Sequence, residues 1–452
     1  MGGLALLDSA TAELMLFAGV GLLIGGLDDL AVDLIYLLLR PWHRRADPPA
    51  EPPPRRFAIF VAAWDESGVI AAMLRSALAR LEGDYRLYLG VYPNDPATRA
   101  AAEAVAREDP RLRLVVNPRP GPTTKADNLN AMWRALVADR EDGWQADALV
   151  LHDAEDVVHR EELRVFAGLL DRHAVVQLPV LPLVARGSRL VSGHYADEFA
   201  ESHAKGLVVR RWVGAGVPLA GTGCAIALPL LDRIAAARAG EPFDPTSLTE
   251  DYELGLALAE MGARAVLARV PTRDGRSLVA VRAYFPATIE AAVRQKARWI
   301  TGIALSGWDR TGWARSWNPL DHWMRLRDRR APLAVVVTAA AYLALLSWGA
   351  AAALHAWTGT PPAPVSGIEQ GLLAVNAVLL GWRYLMRMAF TARAYGWREA
   401  LWAVPRMVVG NIIMLLAVRR AMTRYLSALG GAAPKWDKTS HAFPDTAEGG
   451  TA

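Results

Sequence analysis

The sequence predicts an α/β protein whose mostly parallel sheet is carried between apolar segments that meet a membrane. Three observations predict it. Apolar, β-rich runs alternate with helically spaced ones, acidic residues gather where the strands end, and apolar stretches with arginine-rich borders flank this region on both sides. At 452 residues, 53% hydrophobic and 21% charged, the chain has room for more than one domain and is too apolar for an ordinary soluble enzyme.

The elements follow in order. Phe57–Ala63 reads as a strand, Ser67–Leu81 as a helix, Tyr85–Tyr92 as a strand and Ala97–Glu108 as a helix. Leu112–Val116 is a strand, Lys125–Asp139 a helix, and Ala148–Leu151 a strand that runs into Asp153-Ala154-Glu155-Asp156. Parallel sheets of this kind bind ligands beyond the carboxyl ends of their strands. The polar candidates fall there: Asp65 and Glu66 after the first strand, Asn94 and Asp95 after the second, and Asp153, Glu155 and Asp156 after the fourth. Further on, Thr249–Met261 reads as a helix that Gly262 terminates.

The apolar stretches set a topology. Residues 14–39 are interrupted by Asp28, Asp29 and Asp33 and followed by Arg40, His43, Arg44 and Arg45. A carboxylate at mid-membrane costs about 2.5–3.5 kcal/mol, so the first half is expected to span and the second to lie in the interface. The arginines place the next domain in the cytosol. Ala331–Trp357 and Gln370–Met388 form an expected transmembrane hairpin, with Arg325, Arg327, Arg329 and Arg330 before it and Arg383, Arg387 and Arg393 at its return. Met407–Val418 is short for a span and reads as interfacial or re-entrant; joined to Leu401–Pro405 it reads as a true span instead.

Charge and cysteine usage exclude other classes. The net charge is only +4, and the arginine clusters border apolar segments, which suits a membrane surface and not nucleic acid. A single cysteine, Cys224, excludes an intrachain disulfide and a cysteine-based zinc site, as expected of a body facing the cytosol.

Chemistry is concentrated in one ordered set. Gln295-Lys296-Ala297-Arg298-Trp299 follows Thr249-Glu250-Asp251, which follows the acidic turn Asp153–Asp156. Carboxylates suit a divalent cation, a further carboxylate can take a hydroxyl proton, Arg pairs with phosphate oxygens and Trp stacks on a sugar face. Bland readings stand beside these: Asp251 suits a helix N-terminus in its own right, and Arg298 with Trp299 suits a membrane interface. His194, Glu198, Glu201 and His203 share one helical face, read as polar lining of a cleft or as a metal cluster. Trp308, Trp313, Trp317 and Trp323 read equally as a sugar track or an interfacial belt.

In this order the motifs resemble the membrane-integrated family 2 glycosyltransferases, similar to cellulose and hyaluronan synthases and most closely to the bacteriophage-adsorption inner-membrane group (NfrB type). The resemblance covers nearly the whole chain. It is carried by Ala63-Trp64-Asp65-Glu66, Asn94-Asp95, Thr124-Lys125-Ala126-Asp127-Asn128-Leu129-Asn130, His152–Asp156, Gly221-Thr222-Gly223, Thr249-Glu250-Asp251, the Gln295–Trp299 motif and Lys435-Trp436-Asp437-Lys438-Thr439.

The resemblance implies a GT-A type nucleotide-sugar-binding sheet and inverting, metal-dependent transfer of a sugar from a UDP-sugar to a growing polysaccharide, exported through the membrane helices. It implies Asp65, Glu66 and Asp95 at the nucleoside, Lys125 and Arg298 at the diphosphate, Asp153 and Glu155, with Asp156 sharing, at Mg²⁺ or Mn²⁺, and Asp251 as base. Glu250, Gln295 and Trp299 complete the catalytic set, Trp299 at the acceptor, and Lys438 and Thr439 are expected in a lid over the diphosphate. Implied partners are the UDP-sugar, the glycan acceptor, the bilayer and an outer-membrane or periplasmic export protein. An N-acetylated hexosamine is the implied sugar.

The expected division is 1–40 N-terminal transmembrane or interfacial helix, 41–56 Pro-rich linker, 57–282 cytosolic glycosyltransferase domain, 283–330 interfacial helices, 331–390 hairpin, 391–430 interfacial or re-entrant helix and 431–452 cytosolic tail. Two departures stand out: Glu155 where the family has a second Asp, and Asp65 where it has Asn. The group's cyclic di-GMP-sensing extension is not matched after His441. A non-processive enzyme acting on a lipid carrier and a catalytically silent scaffold or receptor are the alternatives.

Overall fold

The computed structural model describes residues 2–41, 48, 49, 51–315, 317–430 and 442–444. Helix α1 (Gly2–Leu39) leads to strand β1 (Arg56–Ala62), and alternation then continues through α2 (Ile70–Arg80), β2 (Asp84–Val91), α3 (Pro96–Glu108), β3 (Leu112–Val116), α4 (Lys125–Glu141), β4 (Ala148–His152), α5 (Glu162–Leu169) and β5 (Val175–Gln177). Next come α6 (Val191–Glu201), α7 (Leu207–Trp212), β6 (Cys224–Ala227), α8 (Leu228–Ala237), α9 (Glu250–Glu260), β7 (Ala265–Leu267) and α10 (Ile289–Ile300). Short α11 (Ser306–Thr311) and α12 (Pro319–Arg329) lead into the long α13 (Ala331–Thr358) and α14 (Gly367–Tyr395), then α15 (Trp397–Ala400) and α16 (Ala403–Leu429). Two single π turns, Ser202–Gly206 and Thr301–Leu305, follow α6 and α10.

The seven strands form one sheet, ordered β3-β2-β1-β4-β6-β5-β7, parallel except for β6, which runs against both β4 and β5. Central β1 is covered on both faces, which is why it reads as an uninterrupted apolar run. Phe57, Ile59 and Val61 meet Leu74 and Phe166 on one face; Ala58 and Phe60 meet Trp133 and Leu231 on the other. Strands β5 to β7 are only three or four residues long and carry no readable period of their own.

Helix α1 does not break at its acids. It runs on because each acid has a partner: Asp28 and Asp29 pair with Arg327 and Arg330, Asp29 also with Arg383, and Asp33 with Lys205 and the Trp382 indole N–H. Its glycines let α13 and α14 close in, since an added Cβ would lie 2.6 Å from Val337 at Gly21 and 2.9 Å from Leu379 at Gly26. Among the described residues, α13 alone is long and apolar enough by itself to cross a membrane.

The short run Met407–Val418 lies inside the longer α16. Near its start, Arg406 donates to the Arg189 carbonyl at 2.8 Å and meets Asp197 at 3.1 Å; near its end, the Tyr425 hydroxyl donates to Asp309 at 2.7 Å. Both ends are therefore tied to elements adjoining the sheet domain. Ala417, Val418 and Ala421 pack on Ala297, Ile300 and Ala304, while Val404, Val408, Ile412 and Leu416 form an exposed apolar stripe.

Candidate active site

A cavity of about 720 Å³ opens beyond the carboxyl ends of β1 and β4. It draws Trp64 and Glu66 from the loop after β1, Lys125 from the start of α4, Asp153, Glu155 and Asp156 from the turn after β4, Glu250 and Asp251 from the start of α9, and Gln295, Arg298 and Trp299 from α10. Residues spread over more than two hundred positions of chain thus share one wall, as strand-end loops do in a parallel sheet.

The centre is an ion cluster. Lys125 Nζ donates to Asp153 Oδ1 and to the Gly221 carbonyl at 3.3 Å, and lies 3.8 Å from Glu250. Burial works against its charge, but Asp153, Glu250 and Asp251 outweigh burial and hold the ammonium protonated far above neutrality. Asp251 moves the other way: burial, then the neighbouring Glu250 charge, push its carboxyl up to about 7 against the pull of Lys125. A carboxyl near 7 is suited to taking a proton at neutral pH.

Backbone detail explains the placement. Gly221 has φ +72°, and an added Cβ there would lie 2.5 Å from Asp251 Oδ2, so only glycine lets the loop pass under this carboxylate. The loop is held by Gln177, whose amide donates to the Thr222 carbonyl at 2.8 Å and accepts from Ala220 N–H at 2.9 Å. Gln177 was not picked out from sequence, and no local pattern marks it.

Of the three acids expected at a metal, Asp156 is turned to another task. It is buried, and its Oδ2 accepts from Asp153 N–H at 2.8 Å, from the Thr222 hydroxyl and from His152 Nδ1 at 3.0 Å. His152 is gripped on its other side by Glu162 at 2.8 Å; burial opposes its charge, but the two acids raise its pKa to about 10. This buried trio fixes the shape of the acidic turn. Among the described residues no group of three or more His, Cys, Asp or Glu side chains is gathered in metal-binding geometry. Asp153 and Glu155, the other two of the three, line the cavity outside that trio.

The residues assigned to the nucleoside divide. Glu66 lines the cavity, whereas Asp65 and Asp95 do not; Asp95 caps α3, accepting from Thr98 N–H at 3.2 Å and from Asp65 N–H at 2.6 Å. In the Thr124–Asn130 motif only Lys125 lines the cavity. Asn128 donates to the Gly90 carbonyl and Asn130 to the Phe243 carbonyl, so this polar helix face stitches loops together.

On the opposite wall, Trp299 stands perpendicular to Tyr195, with ring centroids 6.1 Å apart, and beside Phe199 and Phe285. Lys296, between Arg298 and Gln295, turns away to Glu198. His194, Glu198 and Glu201 do not line the cavity; Glu201 pairs with Lys205 and Arg387 instead, and only His203 of that face reaches the space. None of Trp308, Trp313, Trp317 and Trp323 lines it either, and Trp323 is bonded to Asp28. Lys438 and Thr439 lie outside the described residues.

Residues 53–302 match the family described as "Glycosyltransferase like family 2". The chain is 34% identical, over 93% of its length, to bacteriophage adsorption protein B of Escherichia coli (strain K12) and equally to bacteriophage N4 adsorption protein B of Escherichia coli O157:H7. It spans about 60% of the length of these relatives. In fold it is similar to the mannosyltransferase PcManGT from Pyrobaculum calidifontis, solved in complex with GDP-Man and Mn²⁺: TM-score 0.54 at 18% identity, covering 90% of this chain and 99% of that one. The family model and the relatives agree with what the motif order raised: the chain belongs to glycosyltransferase family 2.

Proposed function

We propose that the chain transfers a sugar, with inversion, from a UDP-sugar to a growing polysaccharide at the cytosolic face of a bacterial inner membrane. One observation carries this reading: Asp251, with its carboxyl near 7, shares a cavity with Lys125 and Arg298 on the one hand and Trp299 on the other. Base, diphosphate-pairing cations and a sugar platform are what a single displacement requires.

The donor diphosphate would lie between Lys125 and Arg298, with Glu66 and Trp64 toward the nucleoside. Asp251 takes the proton of the acceptor hydroxyl as its oxygen attacks the anomeric carbon. The carbon–oxygen bond to the diphosphate breaks on the opposite face, and the electron pair leaves with UDP, whose growing charge the two cations offset. Asp153 and Glu155 suit a hard cation held by one or two carboxylates plus substrate phosphates, and would hold Mg²⁺ or Mn²⁺. Bound there, it supplies charge stabilisation to the leaving group.

The membrane reading rests on α13, on the arginine-bordered layer that joins α1, α12 and α14, and on the exposed stripe of α16, which suits a helix lying in the interface. The likeness to phage adsorption proteins supports an envelope glycan as product and an export partner beyond the membrane. Incubating the purified protein in detergent with a panel of UDP-sugars and Mn²⁺, and reading any polymer by mass spectrometry, tests the whole proposal. Release of UDP without sugar transfer, from every donor, would refute it.

A further inference from the structure

The wall that carries Trp299 also carries a histidine set up as a neutral hydrogen-bond donor. His203 lies on the π turn Ser202–Gly206 and is buried, yet lines the cavity. Its Nδ1 accepts the Val180 backbone N–H at 3.2 Å. An acceptor nitrogen carries no proton in the neutral ring, so the proton sits on Nε2. Among the described residues no hydrogen bond of Nε2 to a protein atom is found. The ring is further fixed by Phe199, stacked at 5.2 Å and 24°, and its carbonyl accepts from Arg269 at 3.2 Å.

Two more features point to a ligand. Phe199 continues into Phe285 and Trp299 as an aromatic surface suited to the apolar face of a sugar ring. On the same cavity, Gln295 Oε1 is buried without a partner. A buried, unpaired acceptor is costly unless a ligand completes it. A donor with no partner among the described residues, a buried acceptor without one and an aromatic platform line one space. Both π turns flank it, the second contributing Ile303, and π turns inside helices often mark functional sites.

We propose that His203 and Gln295 form a sugar-recognition subsite in which Nε2–H donates to one hydroxyl, and Gln295 Oε1 accepts from another, of a neutral glycosyl unit resting on the Trp299 wall. The occupant is the terminal unit of the acceptor glycan; this assignment rests on the transfer reading above, which puts the donor diphosphate at Lys125 and Arg298. Burial, reinforced by Arg269, depresses the ring's pKa to about 3, so it remains a donor without becoming a cation. A neutral donor discriminates a hydroxyl from its deoxy analogue without attracting phosphate. A site built to bond a substrate hydroxyl rejects the analogue lacking it strongly, because its own polar groups are then left unpaired.

The test uses the full chain in detergent and two variants. His203→Phe keeps the ring stacking and removes the donor; His203→Gln keeps a donor near the Nε2 position. Saturable binding of tetrasaccharides of glucose and of N-acetylglucosamine is followed by tryptophan fluorescence, and UDP binding is measured alongside. The subsite requires His203→Phe to weaken tetrasaccharide binding by about 10- to 100-fold, His203→Gln to recover most of it, and UDP binding to stay unchanged in both. Equal tetrasaccharide binding by wild type and His203→Phe, a loss confined to UDP, or no binding of either tetrasaccharide by wild type overturns it. Binding needs no turnover, so an enzyme that binds glycans through His203 but transfers no sugar overturns the transfer reading and leaves the subsite standing.

Discussion

Gly221 lies directly beneath Asp251, so close that a methyl group in place of its hydrogen would stand 2.5 Å from the carboxylate oxygen Oδ2. The position also has φ +72°, so alanine meets strain and collision together. Gly221→Ala is expected to cost about 1–3 kcal/mol of stability, and displacement of the carboxylate by a fraction of an ångström is expected to lower turnover roughly 10- to 100-fold. Gly143→Ala is the control, because φ is +95° there and nothing lies within 4 Å of an added Cβ. Thermal denaturation and sugar transfer separate the two effects: a similar loss of turnover in both variants removes Asp251 from the explanation.

In the proposed mechanism, Asp251 is the group whose protonation sets the rate. Its carboxyl titrates near 7 in the folded protein and near 3.8 as a free group. The base is active when deprotonated, so turnover is expected to rise with pH through about 7. Asp251→Asn should lower turnover by roughly 10²–10⁴ and leave UDP binding nearly intact. Stability has the opposite sign. A raised carboxyl pKa costs the native state nothing below the ordinary carboxylate range, and the cost grows until pH passes about 7. The asparagine variant should therefore melt higher than wild type at pH 8 and no higher at pH 4. A variant that loses UDP affinity instead would make Asp251 a binding residue.

Asp153 is paired with Lys125, so its removal changes both the proposed cation seat and the lysine. Asp153→Ala is expected to abolish transfer while the protein stays folded, and EDTA should do the same to wild type, with Mn²⁺ or Mg²⁺ restoring it. Full activity in EDTA refutes the metal role.

The sequence revealed most where a residue's neighbours are its own chain neighbours. Strands β1 to β4 and their helices stand within a few residues of the expected bounds, because periodicity and strand-end acids are local signals. Lys125, Asp153, Asp251, Arg298 and Trp299 do share one cavity. What local pattern could not tell was orientation. Asp156 and Asp153 are alike in sequence, yet His152 and Thr222, the latter distant in the chain, turn one inward. Gln177 and Asp95 act on backbone groups that only the sheet brings near. The acids of α1 looked like interruptions because their arginine partners lie some three hundred residues away. A π turn likewise has no sequence signature, so of the four residues read as cleft lining it was not legible that His203 alone would reach the cavity.

Topology is tested last, because it decides which way a product can leave. The loop between α13 and α14 follows the helix best able to cross, so it is expected outside the membrane; the sheet domain is expected inside. For α16 the two ends decide. Arg406 at the start is tied to Asp197 and Tyr425 near the end to Asp309, both on elements next to the sheet domain, and the apolar stripe between them faces outward. A crossing helix would carry those anchors to opposite sides. Single cysteines at Ala363, Asp142 and Ser427, in a Cys224→Ala background, report the three places. An impermeant thiol reagent added to intact spheroplasts should label the first alone, and all three once the membrane is opened. Labelling of Ser427→Cys from outside would make α16 a span and place the tail, with Lys438 and Thr439, on the wrong side to cover a cytosolic nucleotide.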